Sequence, residues 1–280
     1  MNSCERFLFT ISAQLGEKLT TDHVGVPAKR ETFAIHTAEG IARITFDGAH
    51  RSNAMSSERM RALSAILREL EADDEVAVVV LHGGDGNSFA VGGDFHEVSH
   101  FAGGDEVDRW IDAITELYVA SLEITKPTLA AVEGYAIGIG LQLALTCDFR
   151  IGAESSVLRM PEFQLGIACN FGAFMLERSV GRHVMQNMLL SCEEWPAERS
   201  LRDGLLHQVV PADQVLATAL ARAAEFREYN PVAVRGTKPQ MNREYVQGLH
   251  ALRENAKKSH RAGFASGRPQ ERMRQVVGRA

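Results

Sequence analysis

Apolar and polar residues alternate along residues 32–48, on both sides of the pair Glu39-Gly40. A two-residue turn of this kind joins antiparallel strands, so the pattern predicts a β-hairpin. The segment 56–74 has a different period, because its apolar residues occupy positions 60, 63, 66, 67 and 70 behind a serine. This spacing predicts an amphipathic helix with a serine N-cap.

Further along the chain, short apolar runs alternate with helical patterns. The apolar runs predict four strands, within 75–84, 127–134, 147–153 and 156–160. A helix is predicted at about 105–124. This alternation favours a mostly parallel sheet with right-handed crossovers, so we expect an α/β fold. We divide the chain into an N-terminal extension at 1–30, a core at 31–210 and a helical region at 211–280.

Composition excludes several classes of protein. The net charge of −6 and the pI near 5.9 argue against a nucleic-acid-binding surface. The longest apolar runs are too short to span a bilayer, and the N-terminus lacks the pattern of a signal peptide. We therefore expect a cytoplasmic protein with no membrane or nucleic-acid partner. The four cysteines have no C-x-x-C spacing, which predicts free thiols, two or three of them buried.

The sequence HEVSH, from His96 to His100, matches a zinc-binding motif. In H-E-x-x-H, one face of a helix presents two histidines to the metal. A catalytic zinc also needs a third ligand, and no downstream pattern supplies one. A zinc hydrolase is thus a remote alternative, and solvated histidines at a helix edge are the simpler interpretation.

Two glycine-rich turns each follow a predicted strand and lead into a helix, AVGGDF at 90–95 and GYAIGIG at 134–140. Glycine leaves backbone N–H groups unshielded, and a helix N-terminus favours negative charge. Two such groups aimed at one point form an oxyanion hole, although ordinary turn chemistry explains either turn alone. Glu162 lies at a strand end among apolar neighbours, which makes it a candidate acid or base, or else a surface carboxylate.

Together these motifs resemble the crotonase (enoyl-CoA hydratase/isomerase) superfamily over about residues 32–270. The matching segments, in order, are RSNAMSSERMRAL, FAVGGDF, GYAIGIGLQLALTCDFRIGA and MPEFQLGI. The resemblance implies a β-β-α spiral core. It also implies a helical C-terminal region that covers the active site and forms a homotrimer or a dimer of trimers. Oxyanion-hole donors are implied at the backbone of Gly93 and Ile139, and a catalytic carboxylate at Glu162.

Hydratases of this superfamily place two glutamates around one water, and the first of them corresponds to Gln142. Hydration needs one group that accepts a proton and one that donates it, whereas an amide does neither near pH 7. Hydration is therefore disfavoured. An amide suits a negatively charged acyl group, because a second carboxylate would repel it. Gln142 would donate a hydrogen bond to that acyl carboxylate or to an enolate oxygen.

Within the superfamily, the pattern is most similar to the carboxymethylproline synthase family of carbapenem biosynthesis. The similar segments are VGGDFHEV, RWIDAITELY, GYAIGIGLQLAL, MPEFQLGI and KKSHRAGF. The resemblance implies that malonyl-CoA loses CO₂ in the oxyanion hole and that the enolate adds to pyrroline-5-carboxylate. Hydrolysis of the thioester, with Glu162 as base, then yields carboxymethylproline. No cofactor is implied, because coenzyme A is carried by the substrate.

The same resemblance implies roles for side chains around the site. Trp110 and His260 would shape the pocket for the imino acid, although a helix core and a surface helix are alternative interpretations. Contacts with coenzyme A are implied, and a solvated face is the alternative, for Arg51, Ala54, Lys257 and Lys258. Other possible functions are a malonyl-CoA or methylmalonyl-CoA decarboxylase, an acyl-CoA hydrolase, and a non-catalytic acyl-CoA binding protein.

Overall fold

The computed structural model describes residues 33–48 and 50–277. Strands β1 (Phe33–Ala38) and β2 (Ile41–Phe46) are antiparallel and confirm the predicted hairpin. Its turn residues Glu39 and Gly40 have φ angles of 50° and 75°. Positive φ at both positions is typical of the type I′ turn, whose twist matches that of the flanking strands. The extension predicted at 1–30 lies outside the described residues.

Parallel pairing dominates the rest of the main sheet. The other strands are β3 (Val78–His82), β4 (Thr128–Val132), β5 (Tyr135–Ile137), β6 (Phe149–Ala153), β7 (Val157–Arg159), β8 (Trp195–Pro196) and β9 (Gln208–Val210). The six-stranded sheet has the order β1-β2-β3-β4-β6-β9, and every pair after the hairpin is parallel. Strands β5, β7 and β8 form a second sheet. The predicted α/β architecture is confirmed.

Ten α-helices accompany the strands in the described part of the chain. They are α1 (Ser57–Ala72), α2 (Phe95–Val98), α3 (Asp105–Glu123), α4 (Ile139–Thr146), α5 (Glu162–Leu165), α6 (Asn170–Ser191), α7 (Ala197–Arg202), α8 (Val215–Arg227), α9 (Pro231–Ala265) and α10 (Arg268–Val277). The predicted N-cap is confirmed, since the Ser56 side chain accepts a hydrogen bond from the Arg59 N–H. The helical C-terminus is confirmed as well.

Both faces of the central strands β3, β4 and β6 are buried. Val78 and Val80 of β3 pack in a cluster with α8, whereas Val79 and Leu81 belong to the larger cluster on the opposite face. Strands buried on both faces are continuous apolar runs rather than alternating patterns. This explains why the parallel strands have the sequence EVAVVVLHGG or PTLAAVEG.

Ion pairs fix the position of α9 along α3, and this contact shapes one wall of the site described below. The Arg253 guanidinium lies 2.7 Å from Asp112, and the Arg261 guanidinium lies 2.6 Å from Asp108. The Lys257 ammonium lies 2.8 Å from Asp112. These partners are spaced along both helices, so they set the register at which α9 presents its apolar residues to α3.

Burial of the cysteines agrees with the prediction from their spacing. Cys147, Cys169 and Cys192 are buried free thiols, and Cys4 lies outside the described residues. Among the helices that the structure describes, none is both long and apolar enough to cross a membrane.

A buried ammonium links α9 to the edge of the core. Lys238 is 4% exposed and donates to the Asp148 carboxylate and to the Lys126 carbonyl, each at 2.6 Å. Removing one partner of a buried pair leaves the other uncompensated.

We predict that Lys238→Ala lowers the free energy of unfolding by about 3 kcal/mol in urea denaturation. Arg235→Ala, on the same helix, removes only an exposed pair with Asp74 and should change it by less than about 1 kcal/mol. Equal effects of the two variants would contradict the prediction.

Candidate active site

The first glycine turn is braced by the loop that precedes α1. The Met55 N–H donates to the Gly92 carbonyl at 2.9 Å, and the Asp94 N–H donates to the Met55 carbonyl at 3.3 Å. Gly93 stands in the chain between the two residues that make these bonds, and its N–H has no acceptor among the described residues. The predicted coenzyme A loop and the predicted oxyanion turn are therefore adjacent parts of one structure.

The second glycine turn brings the start of α4 against the first turn and against Glu162. Gly138 has a φ of 53° and a ψ of −119°, a conformation that side chains disfavour. A Cβ atom there would lie 3.0 Å from Glu162 Oε1 and 3.8 Å from the Gly92 Cα. A Cβ at Gly140 would lie 2.0 Å from the Ala90 carbonyl oxygen. The glycines are thus required for close approach.

One cavity, with an empty volume of about 670 Å³ that includes space open to solvent, joins these turns. Gly93 and Ile139 both line it, and within the described residues the Ile139 N–H also has no acceptor. Two unpaired backbone donors on one cavity fit an oxyanion hole. Ile139 is the first residue of α4, so the helix dipole adds a favourable field for negative charge.

Gln142 is held between two side chains on the cavity wall. Its Oε1 accepts a hydrogen bond from the Tyr118 hydroxyl at 3.0 Å, and its Nε2 donates to Glu162 Oε1 at 3.1 Å. The buried amide is therefore satisfied at both ends. The structure brings Gln142 to Glu162, and contact with a substrate carboxylate stays a prediction.

Glu162 is the one carboxylate that lines the cavity in the described part of the chain. Its Oε2 atom is buried and has no hydrogen-bond partner there. Burial raises the pKa of Glu162 to about 7, while hydrogen bonds from its own backbone, from Cys169 and from Gln142 act in the opposite direction. A carboxyl group with such a pKa exchanges protons readily near neutral pH.

Trp110 and His260, predicted to shape the pocket, meet on its wall. Their ring centroids are 5.6 Å apart in an edge-to-face arrangement, and each side chain is 5% exposed. The His260 Nδ1 donates to the Ala256 carbonyl at 2.7 Å, and burial lowers the pKa of His260, so the ring is neutral at pH 7. The Trp110 Nε1 is buried without a partner among the described residues. The indole thus supplies the free donor of this pair.

The residues predicted to contact coenzyme A differ in their surroundings. Arg51 and Lys258 are exposed, and Ala54 lies in the loop that braces the first glycine turn. Lys257 pairs with Asp112 at 2.8 Å and with Glu254 at 3.4 Å. Its ammonium is therefore engaged in holding α9 on α3, which the sequence spacing did not predict.

The HEVSH segment does not assemble a metal site. Helix α2 is a single turn, and the His100 Nδ1 lies 2.7 Å from the His96 carbonyl oxygen. Glu97 accepts a hydrogen bond from the Ser57 N–H at 2.8 Å, which satisfies a free donor at the start of α1. Within 33–48 and 50–277, no group of three or more His, Cys, Asp or Glu residues is placed to hold a metal ion.

The sequence pattern of the enoyl-CoA hydratase/isomerase family matches residues 36–276. The chain belongs to this family. It is 35% identical over 236 residues to the carboxymethylproline synthase of Pectobacterium carotovorum. The aligned region covers 84% of this chain and 94% of that protein. It is 48% identical to the solved structure of ThnE from S. clavuligerus, with a TM-score of 0.71, covering 81% of this chain and all of that one.

Hydratases are also similar to this crotonase chain. The short-chain-enoyl-CoA hydratase of Clostridium acetobutylicum is 31% identical over 206 residues, which is 72% of this chain and 78% of that protein. Family membership therefore establishes the crotonase fold. The particular reaction has to be argued from the side chains in the cavity.

Two residues of this crotonase site were missed by sequence reasoning, Tyr118 and Cys169. Tyr118 lies in an apolar stretch of α3, and Cys169 is buried on the cavity wall beside Glu162. A tyrosine on the buried face of a helix usually has a hydrogen-bond partner, which is the signal that was available for Tyr118. No comparable signal marks Cys169.

The raised pKa of Glu162 makes a prediction about stability. An unfolded glutamate titrates near 4.5, whereas the folded group titrates near 7. The folded state therefore binds the proton more tightly, and the free energy of unfolding falls as pH rises from about 4.5 to 7. Glu162→Gln removes this contribution. We predict that the free energy of unfolding of the variant, relative to that of the native chain, increases by about 2–3 kcal/mol from pH 5 to pH 8.

Urea denaturation of both proteins at the two pH values measures the effect. The amide is nearly isosteric with the protonated carboxyl group, so the two proteins should have similar stability at pH 5. A difference in stability that is the same at pH 5 and pH 8 would contradict the buried, proton-binding carboxyl group.

Proposed function

We propose that this enzyme decarboxylates malonyl-CoA, adds the enolate to pyrroline-5-carboxylate and hydrolyses the product thioester to carboxymethylproline. The observation that carries the proposal is the charge of the cavity. Glu162 is the one carboxylate on its wall among the described residues, and the amide of Gln142 lies 3.1 Å from it. A single proton-exchanging carboxylate does not satisfy the two-group requirement of hydration.

Decarboxylation needs a sink for electrons and no base. The thioester oxygen accepts hydrogen bonds from the backbone N–H groups of Gly93 and Ile139. The bond between the α-carbon and the carboxylate breaks, CO₂ leaves, and the electron pair becomes the enolate. Each N–H contributes about 3–4 kcal/mol to a developing oxyanion. A carboxylate at position 142 would oppose this negative charge, and the neutral amide does not.

Carbon–carbon bond formation follows in the same cavity. The enolate carbon attacks the C=N carbon of pyrroline-5-carboxylate, and the π electron pair moves to the ring nitrogen, which takes up a proton from water and becomes an amine. The imino acid has an apolar ring and a carboxylate. The edge-to-face pair of Trp110 and His260 suits the ring, and the unpartnered Trp110 Nε1 suits the carboxylate.

Hydrolysis is the step that requires Glu162. A water attacks the thioester carbonyl, Glu162 accepts its proton, and the coenzyme A thiolate leaves with the electron pair of the C–S bond. A base works best when its pKa is near the operating pH, and burial raises the pKa of Glu162 to about 7.

Coenzyme A enters with the substrate, and Arg51, Ala54 and Lys258 are its proposed contacts. A homotrimer or dimer of trimers stays a prediction.

A two-substrate assay tests the proposal. The protein is incubated with malonyl-CoA, with and without pyrroline-5-carboxylate, and the products are identified by mass spectrometry. Free carboxymethylproline in the complete mixture is the expected result. Acetyl-CoA as the product of both mixtures would instead indicate a decarboxylase without a second substrate, and turnover of crotonyl-CoA alone would indicate a hydratase.

The amide at position 142 makes a second prediction. Gln142→Glu places a carboxyl group beside Glu162 and near the substrate carboxylate. At roughly 4 Å and an effective dielectric near 20, the repulsion is about 4 kcal/mol before relaxation. We expect kcat/KM for malonyl-CoA to fall at pH 7 and to recover partly at lower pH, because protonation removes the new charge.

Gln142→Met is the matched control, because it removes the amide without adding a charge. Its loss of kcat/KM should be smaller and should not recover at lower pH. Neither variant should hydrate crotonyl-CoA well. Identical pH profiles for the two variants would show that charge at position 142 is not what matters for malonyl-CoA.

A further inference from the structure

Tyr118 is a buried polar group that the proposed steps do not use. Its side chain is 0% exposed in the middle of α3, and its ring packs edge-to-face on Phe171. Its hydroxyl lies 3.0 Å from Gln142 Oε1. Burial raises the pKa of Tyr118 well above 10, so the phenol keeps its proton throughout the working pH range. The O–H is therefore a permanent donor at the far end of the Gln142 amide.

We propose that Tyr118 is a positioning residue that fixes which end of the Gln142 amide faces Glu162 and thereby keeps a hydrogen-bond donor on Oε1 of the base. The inference rests on the proposed function only in assigning the hydrolytic step to Glu162. The orientation of the amide follows from the hydrogen-bond chain alone.

An amide can be turned by half a rotation at little steric cost, so its direction depends on its partners. In the observed direction the phenol donates to the amide oxygen, and the amide N–H donates to Glu162 Oε1. In the turned direction the amide oxygen would face an ionised carboxylate, and two acceptors would meet. Donation from Tyr118 to the amide oxygen favours the observed direction from the opposite end.

The two oxygens of Glu162 are consequently inequivalent. Oε1 accepts the Gln142 N–H at 3.1 Å and faces Gly138, where a Cβ would lie 3.0 Å away. Oε2 is buried and has no partner within the described residues. A donor on Oε1 stabilises the ionised carboxylate, so the Gln142 N–H favours the form of Glu162 that acts as a base.

Other groups around Glu162 come from three further elements. Cys169, just before α6, donates a hydrogen bond to Glu162 and keeps its thiol proton, because burial and the neighbouring carboxylate raise its pKa well above 9. Arg159, on β7, contributes a positive charge that lowers the pKa of Glu162. His260, on α9, lines the same cavity and is neutral at pH 7. None of these contacts the Gln142 amide through a described hydrogen bond. The direction of the amide therefore affects the protonation of Glu162 independently of these groups.

The test measures the protonation of Glu162 without any substrate. Infrared spectra follow the C=O band of the protonated carboxyl group against pH, with the spectrum of Glu162→Gln subtracted. In Tyr118→Phe the amide loses its fixed direction, so the carboxylate loses a reliable donor. We expect the titration midpoint to rise by about half a pH unit or more. In single-turnover assays, thioester hydrolysis should slow more than CO₂ release.

Ser121→Ala is the matched control. Ser121 lies one turn further along α3, is 0% exposed, and accepts a hydrogen bond from Thr146 of α4 at 2.7 Å. It therefore joins the same two helices as Tyr118 and Gln142, without reaching Glu162. Ser121→Ala should destabilise the protein to a similar degree but leave the titration midpoint of Glu162 unchanged.

A double variant keeps the test decisive if Tyr118→Phe alone folds poorly. Tyr118→Phe combined with Gln142→Met makes both partners apolar, which avoids an orphaned acceptor. If Tyr118 acts through Gln142, the double variant has the same midpoint as Gln142→Met.

Three results would overturn the inference. They are a native midpoint in Tyr118→Phe, an equal shift in Ser121→Ala, and a further shift when Tyr118→Phe is added to Gln142→Met. Because the titration uses no substrate, a failure of the two-substrate assay would leave these outcomes unaffected.

Discussion

The burial of one carboxylate without a second is the constraint on which the site depends. Apolar surroundings raise the pKa of Glu162 to about 7. Among the described residues that line the cavity, no other carries a full charge at pH 7. The amide of Gln142 stabilises that charge through a hydrogen bond and adds none of its own. A cavity of this kind suits the anionic acyl group that we propose as substrate, and it retains one carboxyl group that exchanges protons near neutral pH.

The fold supplies this arrangement by close approach of backbone segments. Glycines at positions 138 and 140 let the start of α4 lie against Glu162 and against the Ala90 carbonyl. The loop before α1 holds the first glycine turn through Met55. Elsewhere in the structure, ion pairs between α3 and α9 set the register that brings Trp110 to His260. Backbone donors and side chains thus reach one cavity from distant parts of the chain.

Local patterns in the sequence were enough to predict the hairpin at Glu39-Gly40, the Ser56 cap, the parallel strands and the helical C-terminus. The second sheet was not predicted: a strand was expected within 156–160, but its partners β5 and β8 have three and two residues and no period to recognise. Motif resemblance singled out the two glycine turns and Glu162, which line one cavity in the structure. It could not show that Lys257 pairs with Asp112 or that Glu97 caps α1, because those partners are distant in sequence. Tyr118 was overlooked since its segment has the composition of an ordinary core helix.

The central claim is that Glu162 serves hydrolysis and not decarboxylation. Single turnover of Glu162→Gln with malonyl-CoA and pyrroline-5-carboxylate tests it directly, with CO₂ and the acyl thioester followed together. We predict that CO₂ release stays within about tenfold of the native rate, whereas thioester hydrolysis falls by about 10²–10⁴-fold and carboxymethylprolyl-CoA accumulates. Equal loss of both steps in a folded variant would contradict it.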